Sequence, residues 1–393
     1  MRCVLFYSEV ESFNYFTDQL VAEITAKGHE TFILDLRSNC ISDEHSFSAL
    51  SEFVSTPADI IITFDGKGIQ DQNLIDIWDK LGLFAVNILM DPPFRFHITM
   101  CNHPANYLQL CCDMHHVDYT KALFHDHVQY VDFMPHAGTY NGPLDLSDYA
   151  TKPYDVLFSG TYYEPDSYFN QVNTNVQGNA LLKEFYYNLA NYVKEHRHLS
   201  TDEAALEMMK IMQLDINNEQ VKLLLALSEP IDWMVRMYFR GEVIRIIAES
   251  GINIALLGRG WENHPSVKAG LPNVTVLSDR VPFAESLEYM SKAKINLNVM
   301  PWFKDGTHDR IFNILLRGSL PFTDDSIWLR ENFADDESIA YFSLDDLNAI
   351  PAQIKHYLDN PSECKRIIQN GYEIVKNNFT FEQITDQILS YFE

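Results

Sequence analysis

The sequence predicts an α/β protein with two doubly wound parallel sheets. Short apolar runs of strand length alternate with stretches of helical period over residues 1–140, and the same alternation resumes at residue 154. This pattern is typical of βαβ units, in which crossover helices join parallel strands. A segment at about 140–152, rich in Gly, Pro, Asp and Tyr, has no periodicity and separates the two series. A chain of 393 residues is also long for one domain, so we expect two.

The first series contains five runs that we predict to be strands. They are residues 3–7, 31–36, 59–64, 85–90 and 128–134. Each run is rich in β-branched, aromatic or other apolar residues and has the length of a buried strand. The first domain is therefore expected at 1–145.

The second series contains six predicted strands and one long interruption. The strands are residues 154–160, 252–260, 274–279, 295–300, 319–324 and 339–344. Between the first two lie about 75 residues with Leu, Met, Tyr and Phe at helical spacing, which indicates a helical insertion at about 165–235. The second domain is expected at 150–375. Residues 376–393 are expected to form a helix that packs back on the first domain.

Composition excludes several classes of protein. Hydrophobic residues at 46% and charged residues at 21% indicate a globular chain rather than a disordered one. A net charge of −26 repels nucleic acid and anionic lipid headgroups. No apolar run approaches the ~20 residues of a membrane helix, and the N-terminus lacks the apolar core of a signal peptide. These features predict a soluble, cytoplasmic protein without an integral membrane segment.

The cysteines indicate a reducing compartment and no zinc site. None has CxxC spacing, and the six are spread along the chain. They are Cys3, Cys40, Cys101, Cys111, Cys112 and Cys364. A group of histidines with nearby aspartates resembles a metal patch, but it lacks a known ligand spacing, so structural histidines are the favoured interpretation. Its members are His115, His116, His125, His127, Asp113 and Asp126.

The two halves of the chain differ in charge. Residues 240–330 contain 11 Lys and Arg against 10 Asp and Glu, whereas residues 1–150 contain 7 against 21. Anion binding is therefore expected in the second domain. The first domain suits a neutral polyhydroxyl compound or a basic partner.

Strand-ending loops are the places where doubly wound sheets bind ligands. Ser159 and Gly160 form a small turn after the first strand of the second domain, where backbone N–H groups could face an anion. Gly258 and Arg259 follow the next strand and could clamp a phosphate. A plain tight turn and a surface arginine are the respective alternatives.

The segment 301–313 contains the densest set of chemically active side chains. Lys304, Asp305, His308 and Arg310 lie between a buried strand and an apolar helix, so a helix N-terminus and several cations can meet there. A diphosphate is the expected ligand. Simple helix capping is the alternative, but capping does not need this many cations.

Several familiar motifs are missing. The sequence has no Asp-x-Asp metal clamp, no Gly-x-Gly-x-x-Gly after the first strand, no P-loop and no Gly-x-Ser-x-Gly. Dehydrogenase, P-loop and hydrolase functions are therefore not expected.

Several segments resemble the GT-B glycosyltransferases of group 1. Gly28-His29-Glu30 is similar to a turn in the first domain of that family, and residues 256–261, 278–301 and 308–326 resemble its nucleotide-sugar donor domain. Segments 91–93 and 133–137 are similar to the branch that includes the spore-maturation glycosyltransferases. The resemblance covers most of 240–393. It implies two Rossmann-like domains that face each other across a cleft.

The resemblance also implies roles for single residues. Two acidic residues eight apart normally flank the donor loop, and these positions are Asp305 and Asn313 here, so the second is an amide. Arg310 is placed where this branch has an arginine that faces the diphosphate. The base is expected near the backbone of Arg280 and Val281.

The expected function is metal-independent transfer of a sugar from a nucleotide sugar, predicted to be a UDP-sugar, to a protein, glycan or small-molecule acceptor. No cofactor is expected. Arg259, His308 and Arg310 would supply the positive charge that the leaving diphosphate needs. Asp91 at the end of a first-domain strand is the candidate that activates the acceptor, and a turn residue before Pro92 is the alternative.

Two other functions keep the same architecture. A non-catalytic nucleotide-sugar-binding or scaffold subunit would account for Asn313 and for the helical insertion, and a nucleotide-sugar 2-epimerase would share the fold. The insertion itself is expected to cover the acceptor side or to form a subunit contact, so a homo-oligomer is possible.

Overall fold

The computed structural model describes residues 1–37 and 44–392, apart from the side chains of residues 44 and 45. The chain divides into two compact units. The first contains Met1–Thr139 together with Phe379–Glu393, and the second contains Tyr140–Asn378. The five described cysteines are free, and Cys40 lies outside the described residues.

The first unit contains a six-stranded sheet. Its strands are β1 (Arg2–Tyr7), β2 (Glu30–Asp35), β3 (Ile60–Phe64), β4 (Phe84–Leu89), β5 (Tyr107–Cys111) and β6 (Tyr130–Phe133). All neighbours pair in parallel in the order β2-β1-β3-β4-β5-β6. The strand order therefore reverses between β1 and β3. The five strands predicted here are confirmed.

Strand β5 is absent from the sequence-based prediction because a glutamine interrupts its apolar run. Gln109 is nevertheless fully buried in the centre of β5. Its amide donates to the Thr120 hydroxyl at 2.8 Å, and its carbonyl oxygen accepts from the Tyr107 hydroxyl at 3.2 Å. These partners satisfy the polar group inside the core.

The second unit contains another six-stranded parallel sheet. Its strands are β7 (Tyr154–Ser159), β8 (Ile254–Leu257), β9 (Val274–Ser278), β10 (Ala293–Asn298), β11 (Leu320–Thr323) and β12 (Ala340–Tyr341). Their order is β12-β11-β10-β7-β8-β9, so the order reverses between β7 and β10. All six predicted strands are confirmed, and so is the α/β class with two doubly wound sheets.

Helices flank both sheets. In the order of the chain they are α1 (Glu11–Ala26), α2 (Glu44–Phe53), α3 (Gln72–Leu81), α4 (His97–Cys101), α5 (Met114–Phe124), α6 (Ser167–Asn175), α7 (Ala180–Glu195), α8 (Thr201–Ile211), α9 (Asn218–Ala226), α10 (Glu229–Glu249), α11 (Pro265–Lys268), α12 (Phe283–Ser291), α13 (Asp309–Leu316), α14 (Ile327–Asn332), α15 (Ile350–Asp359), α16 (Pro361–Asn378) and α17 (Phe381–Ser390). In the described part of the chain, none is long and apolar enough to cross a membrane.

The segment between β7 and β8 consists of the five helices α6 to α10. Most of the central residues of α10 are buried, which is why this helix is apolar on more than one face. Three charged residues, Asp232, Arg236 and Arg240, are buried with them. Buried charges in an apolar helix need partners.

The chain returns to the first unit at Phe379. There α17 packs against α1, with the rings of Phe381 and Phe16 5.8 Å apart. The Gln387 amide donates to the carbonyl oxygen of Phe133 at 2.9 Å, so the helix is also attached to the end of β6.

Candidate functional site

Arg310 lies at the point of the second sheet where the strand order reverses. It is the second residue of α13, and its Nη1 donates to Oδ1 of Asn298, the last residue of β10, at 2.5 Å. A β-carbon on Gly160, which follows β7, would lie 3.9 Å from its Nη2. The guanidinium therefore lies between the ends of β7 and β10. Burial lowers its pKa, but an arginine remains a cation at neutral pH.

Ser159 ends β7 beside this guanidinium. Its hydroxyl oxygen is buried and has no hydrogen-bond partner among the described residues. Buried polar atoms nearly always have a partner, either in the protein or in a ligand or water. The Ser159 hydroxyl is thus available to a ligand at this edge.

The turns after β7 and β8 are joined by hydrogen bonds. The Tyr162 N–H donates to the carbonyl oxygen of Arg259 at 2.9 Å, and Nε1 of Trp261 donates to that of Gly160 at 2.8 Å. Gly258 has a φ of 127°, and a β-carbon there would lie 2.4 Å from the Gly160 oxygen. Only glycine allows this approach. The two turns leave the Arg259 side chain exposed.

His308 begins helix α13 as its N-cap. Its Nδ1 accepts the backbone N–H of Arg310 at 3.2 Å. Burial lowers the pKa of His308, and the nearby Arg310 charge lowers it further, against the raising effect of Asp309. The imidazole is 28% exposed, and its Nδ1 also lies 2.6 Å from Oδ1 of Asp309. The expectation that His308 supplies positive charge stays a prediction.

Lys304 and Asp305 lie in the loop that precedes α13. The ammonium group of Lys304 donates to the carbonyl oxygen of Arg197 at 2.5 Å, and Arg197 lies between α7 and α8. Lys304 therefore connects the loop to the helical segment. Asp305 is partly exposed in the same loop.

Asn313 lies inside helix α13 and is held by the first residue of that helix. It is fully buried, and its amide donates to the carbonyl oxygen and to Oδ2 of Asp309, both at 3.1 Å. Its hydrogen bonds stabilise the first turn of α13. The contact with the ribose that the family resemblance implies for Asn313 stays a prediction.

Arg280 and Val281 follow β9, which is the edge strand of the sheet. The Arg280 N–H donates to the Ser278 hydroxyl at 3.3 Å, and its side chain is exposed. Val281 packs against a buried cluster that includes Leu157. One strand, β8, lies between β9 and β7, which ends at Ser159.

The structure adds Arg240 of α10 to this edge. Its Nη1 donates to the carbonyl oxygen of Thr161 at 3.1 Å, and its guanidinium carbon lies 5.2 Å from the Trp302 ring centroid. Its charge also contributes to the lowered pKa of His308. Sequence analysis missed Arg240. The available signal was an Arg pair four residues apart, Arg236 and Arg240, within an apolar helix.

Arg236, like Arg240, lies over the Trp302 ring. Its guanidinium carbon lies 3.9 Å from the Trp302 ring centroid, and it forms a buried ion pair with Asp232 at 2.8 Å. The helical segment therefore supports the loop that leads to α13.

In the first unit, Asp91 follows β4 and pairs with Arg95. Their charged atoms are 3.3 Å apart, and Arg95 belongs to the 3-10 turn Pro93–Arg95. One third of the Asp91 side chain is exposed, at 33%, against 7% for Arg95. Asp91 is thus the part of this pair that a ligand can reach.

A second carboxyl group, Asp65, follows β3 and was missed in the sequence. It is buried, and its Oδ1 accepts the Met90 N–H at 2.8 Å. Burial raises the pKa of Asp65 to about 8, and the charge of Asp91 raises it further. The signal for Asp65 was an aspartate at a strand end, the same signal that identified Asp91.

The described residues contain no group of three or more His, Cys, Asp or Glu side chains that could hold a metal ion. His116 of the predicted histidine group is buried at the start of α5, whereas His125 is exposed beside Asp126.

Comparison with known proteins concerns the fold and the second half of the chain. Residues 240–390 match a protein family described as glycosyl transferase-like. No curated protein matches the chain. Many solved structures share its fold. A sucrose-phosphate synthase from Thermosynechococcus elongatus has a TM-score of 0.57 and 11% identity, with 100% of this chain and 98% of that chain covered.

Two further structures have similar scores. A glycosyltransferase from Rickettsia africae has a TM-score of 0.54 and 8% identity, with 100% and 97% of the two chains covered. HepE of Anabaena in complex with UDP-glucose has a TM-score of 0.53 and 10% identity, with 100% and 99% covered. These structures confirm the predicted two-domain GT-B fold, and the match of residues 240–390 supports the prediction of a glycosyltransferase.

Proposed function

We propose that this GT-B glycosyltransferase transfers a sugar from a UDP-sugar to a protein, glycan or small-molecule acceptor without a metal ion. One observation carries the proposal. The Arg310 guanidinium lies between the ends of β7 and β10, where the strand order of the second sheet reverses. Ligands of doubly wound sheets bind at this kind of position.

The second unit supplies the groups that a diphosphate requires. Arg310 can form charge-assisted hydrogen bonds to phosphate oxygens, and the buried Ser159 hydroxyl offers another donor. Arg240 and Arg259 add positive charge nearby in the same sheet edge. Fixed cations of this kind stabilise the charge that develops on the leaving nucleoside diphosphate. They take the electrostatic role that a metal ion has in other enzymes.

UDP is the proposed nucleotide because HepE, which shares the fold, has been solved with UDP-glucose. The resemblance of segments 91–93 and 133–137 to the spore-maturation branch supports membership of that branch within the family.

The first unit supplies the acceptor side in this proposal. Asp91 is partly exposed at the end of β4 and is held by Arg95. A carboxylate in this position can accept the proton of an acceptor hydroxyl or orient that hydroxyl for attack. The surplus of acidic residues in 1–150 disfavours a phosphorylated or otherwise anionic acceptor.

Thermal stabilisation and UDP release test the proposal. UDP should raise the melting temperature more than GDP, ADP, dTDP or CMP, because ligands that bind the native state stabilise it. UDP release from UDP-glucose should continue in EDTA. If none of the nucleotides stabilises the protein, the donor site is wrong. If EDTA abolishes release and manganese restores it, metal-independent transfer is wrong.

A further inference from the structure

We propose that Asp65 is a positioning residue that sets both the place and the charge of Asp91 at the carboxyl edge of the first sheet. This inference rests on the proposed function, in which Asp91 serves the acceptor. Asp65 lies at the end of β3, beside the point where the strand order of this sheet reverses. The sheet thus places two carboxyl groups at the ends of neighbouring strands.

The backbone of β4 connects the two carboxyl groups. Oδ1 of Asp65 accepts the N–H of Met90 at 2.8 Å, and Met90 directly precedes Asp91. In return, the Asp65 N–H donates to the carbonyl oxygen of Ile88 at 3.0 Å. Asp65 therefore holds the end of β4 from which the Asp91 side chain extends.

The turn that carries Asp65 has little freedom to move. Asp65 has a φ of 48°, in the left-handed region that few non-glycine residues adopt. Gly66 follows with a φ of 73°, and a β-carbon there would lie 2.7 Å from the Thr99 side chain. A β-carbon on Gly68 would lie 2.5 Å from the Phe6 ring. Strained turns that the surrounding structure holds in place are frequent at functional sites.

Burial, a backbone N–H and three charged side chains act on the Asp65 carboxyl. Burial is the main reason that its pKa is raised, to about 8, and the Asp91 charge adds to it. The Met90 N–H, Lys67 of the same turn and Arg95 act in the opposite direction. At neutral pH Asp65 therefore carries a proton and has no charge. The Arg95 guanidinium then forms its ion pair with the Asp91 carboxylate without competition from Asp65.

Strand β5 brings two further titratable groups to this edge. The pKa of the Cys112 thiol is raised well above its ordinary value by burial, and Asp113, Asp91 and Asp65 raise it further. Cys112 is thus neutral over the range in which Asp65 titrates. Asp113 caps α5 by accepting the His115 N–H at 2.8 Å.

The charge at this edge consequently changes in mildly alkaline solution. As the pH rises through about 8, Asp65 loses its proton and places a second negative charge beside Asp91. The added charge competes for Arg95 and repels the Asp91 carboxylate. We expect turnover to fall over this range while the affinity for UDP-glucose stays the same.

Asp65→Asn is the test variant. Asparagine tolerates a positive φ, and its carbonyl oxygen can still accept the Met90 N–H, but it cannot ionise. Asp71→Asn is the matched control, because Asp71 is an exposed N-cap of α3 where asparagine caps equally well.

Unfolding in urea tests the coupling without any assumption about activity. The unfolded chain releases the Asp65 proton near pH 4 and the folded chain near pH 8, so the wild type should lose stability relative to Asp65→Asn as the pH rises between these values. Asp71→Asn should follow the wild type. A constant difference between Asp65→Asn and the wild type at all pH values would overturn the proposal.

UDP release from UDP-glucose tests the effect on Asp91. The wild type and Asp71→Asn should lose turnover above about pH 8, whereas Asp65→Asn should not. The KM for UDP-glucose should be equal in all three. Identical pH profiles in Asp65→Asn and the wild type would overturn the positioning role. If the wild type releases no UDP, the proposed function fails, and urea unfolding alone decides whether the two carboxyl groups are coupled.

Discussion

At the carboxyl edge of each sheet, a buried aspartate follows a central strand and accepts a backbone N–H from beyond the neighbouring strand. Asp65 accepts from Met90 in the first unit and Asp324 accepts from Met300 in the second, both at 2.8 Å. The residues around these aspartates differ. The first edge adds the carboxylate of Asp91, and the second adds the guanidinium of Arg310.

The comparison shows that one kind of scaffold can support opposite charges. Residues 1–150 contain three times as many acidic as basic residues, and residues 240–330 are close to neutral. A buried aspartate at the strand end therefore does not determine what the edge binds. The neighbouring side chains at the edge determine it. In our proposal Asp91 makes the first edge an acceptor site, and Arg310 makes the second edge a diphosphate site.

Asp91→Asn should have the largest effect on turnover. We expect a loss of roughly 10²-fold or more, as for the loss of a general base, with UDP affinity nearly unchanged. Calorimetry with UDP and a transfer assay measure the two quantities, and Asp71→Asn serves as the control. Normal turnover in Asp91→Asn would mean that Asp91 does not activate the acceptor. The first edge would then have no chemical role to set against diphosphate binding at the second.

Arg310→Ala should chiefly affect binding. Loss of a hydrogen bond to a charged group weakens UDP binding by about 1.5–3 kcal/mol, and transfer should slow as well. Arg245→Ala is the control, because this arginine pairs with Glu242 and Glu249 on α10 and is partly exposed. If Arg310→Ala binds UDP like the wild type, the donor site lies elsewhere.

Gly258→Ala should lower the free energy of unfolding by about 1–3 kcal/mol, as overpacking does. The new β-carbon would lie 2.4 Å from the Gly160 oxygen, so the turns after β7 and β8 must separate. Gly270→Ala is the control, since its φ is also positive, at 67°, but the space around it is open. Urea unfolding should show a larger loss for Gly258→Ala. Equal losses would mean that the close approach of the turns is unimportant.

Asp324→Asn should produce the smallest change, which is visible as pH dependence. Burial raises the pKa of Asp324 to about 7, so the folded chain keeps a proton that the unfolded chain releases near pH 4. Wild-type stability should therefore decline relative to Asp324→Asn between about pH 4 and pH 7 and then stay constant. If the free energies of unfolding of the variant and the wild type depend on pH in the same way, folded Asp324 does not retain a proton. The second edge would then lack the protonated aspartate that the first edge has in Asp65.

Much of the fold could be predicted from local patterns. Eleven of the twelve strands follow from apolar runs, and β5 was missed because a buried glutamine looks like a surface residue in the sequence. Arg310 and the glycine turn at Gly258 were also identified, since a strand end and its residue types are visible in the chain.

The sequence by itself determined that this protein has two doubly wound sheets, an acidic first half and a cation-bearing loop before α13. Periodicity and composition are local properties, so they need no knowledge of the fold. Only the tertiary structure decided which side chains meet. It brought Arg240 from α10 to the Thr161 carbonyl, 79 positions away in the chain. It also buried Asn313 and placed His308 as the N-cap of α13. Burial controls these states, and it arises only when distant segments pack together.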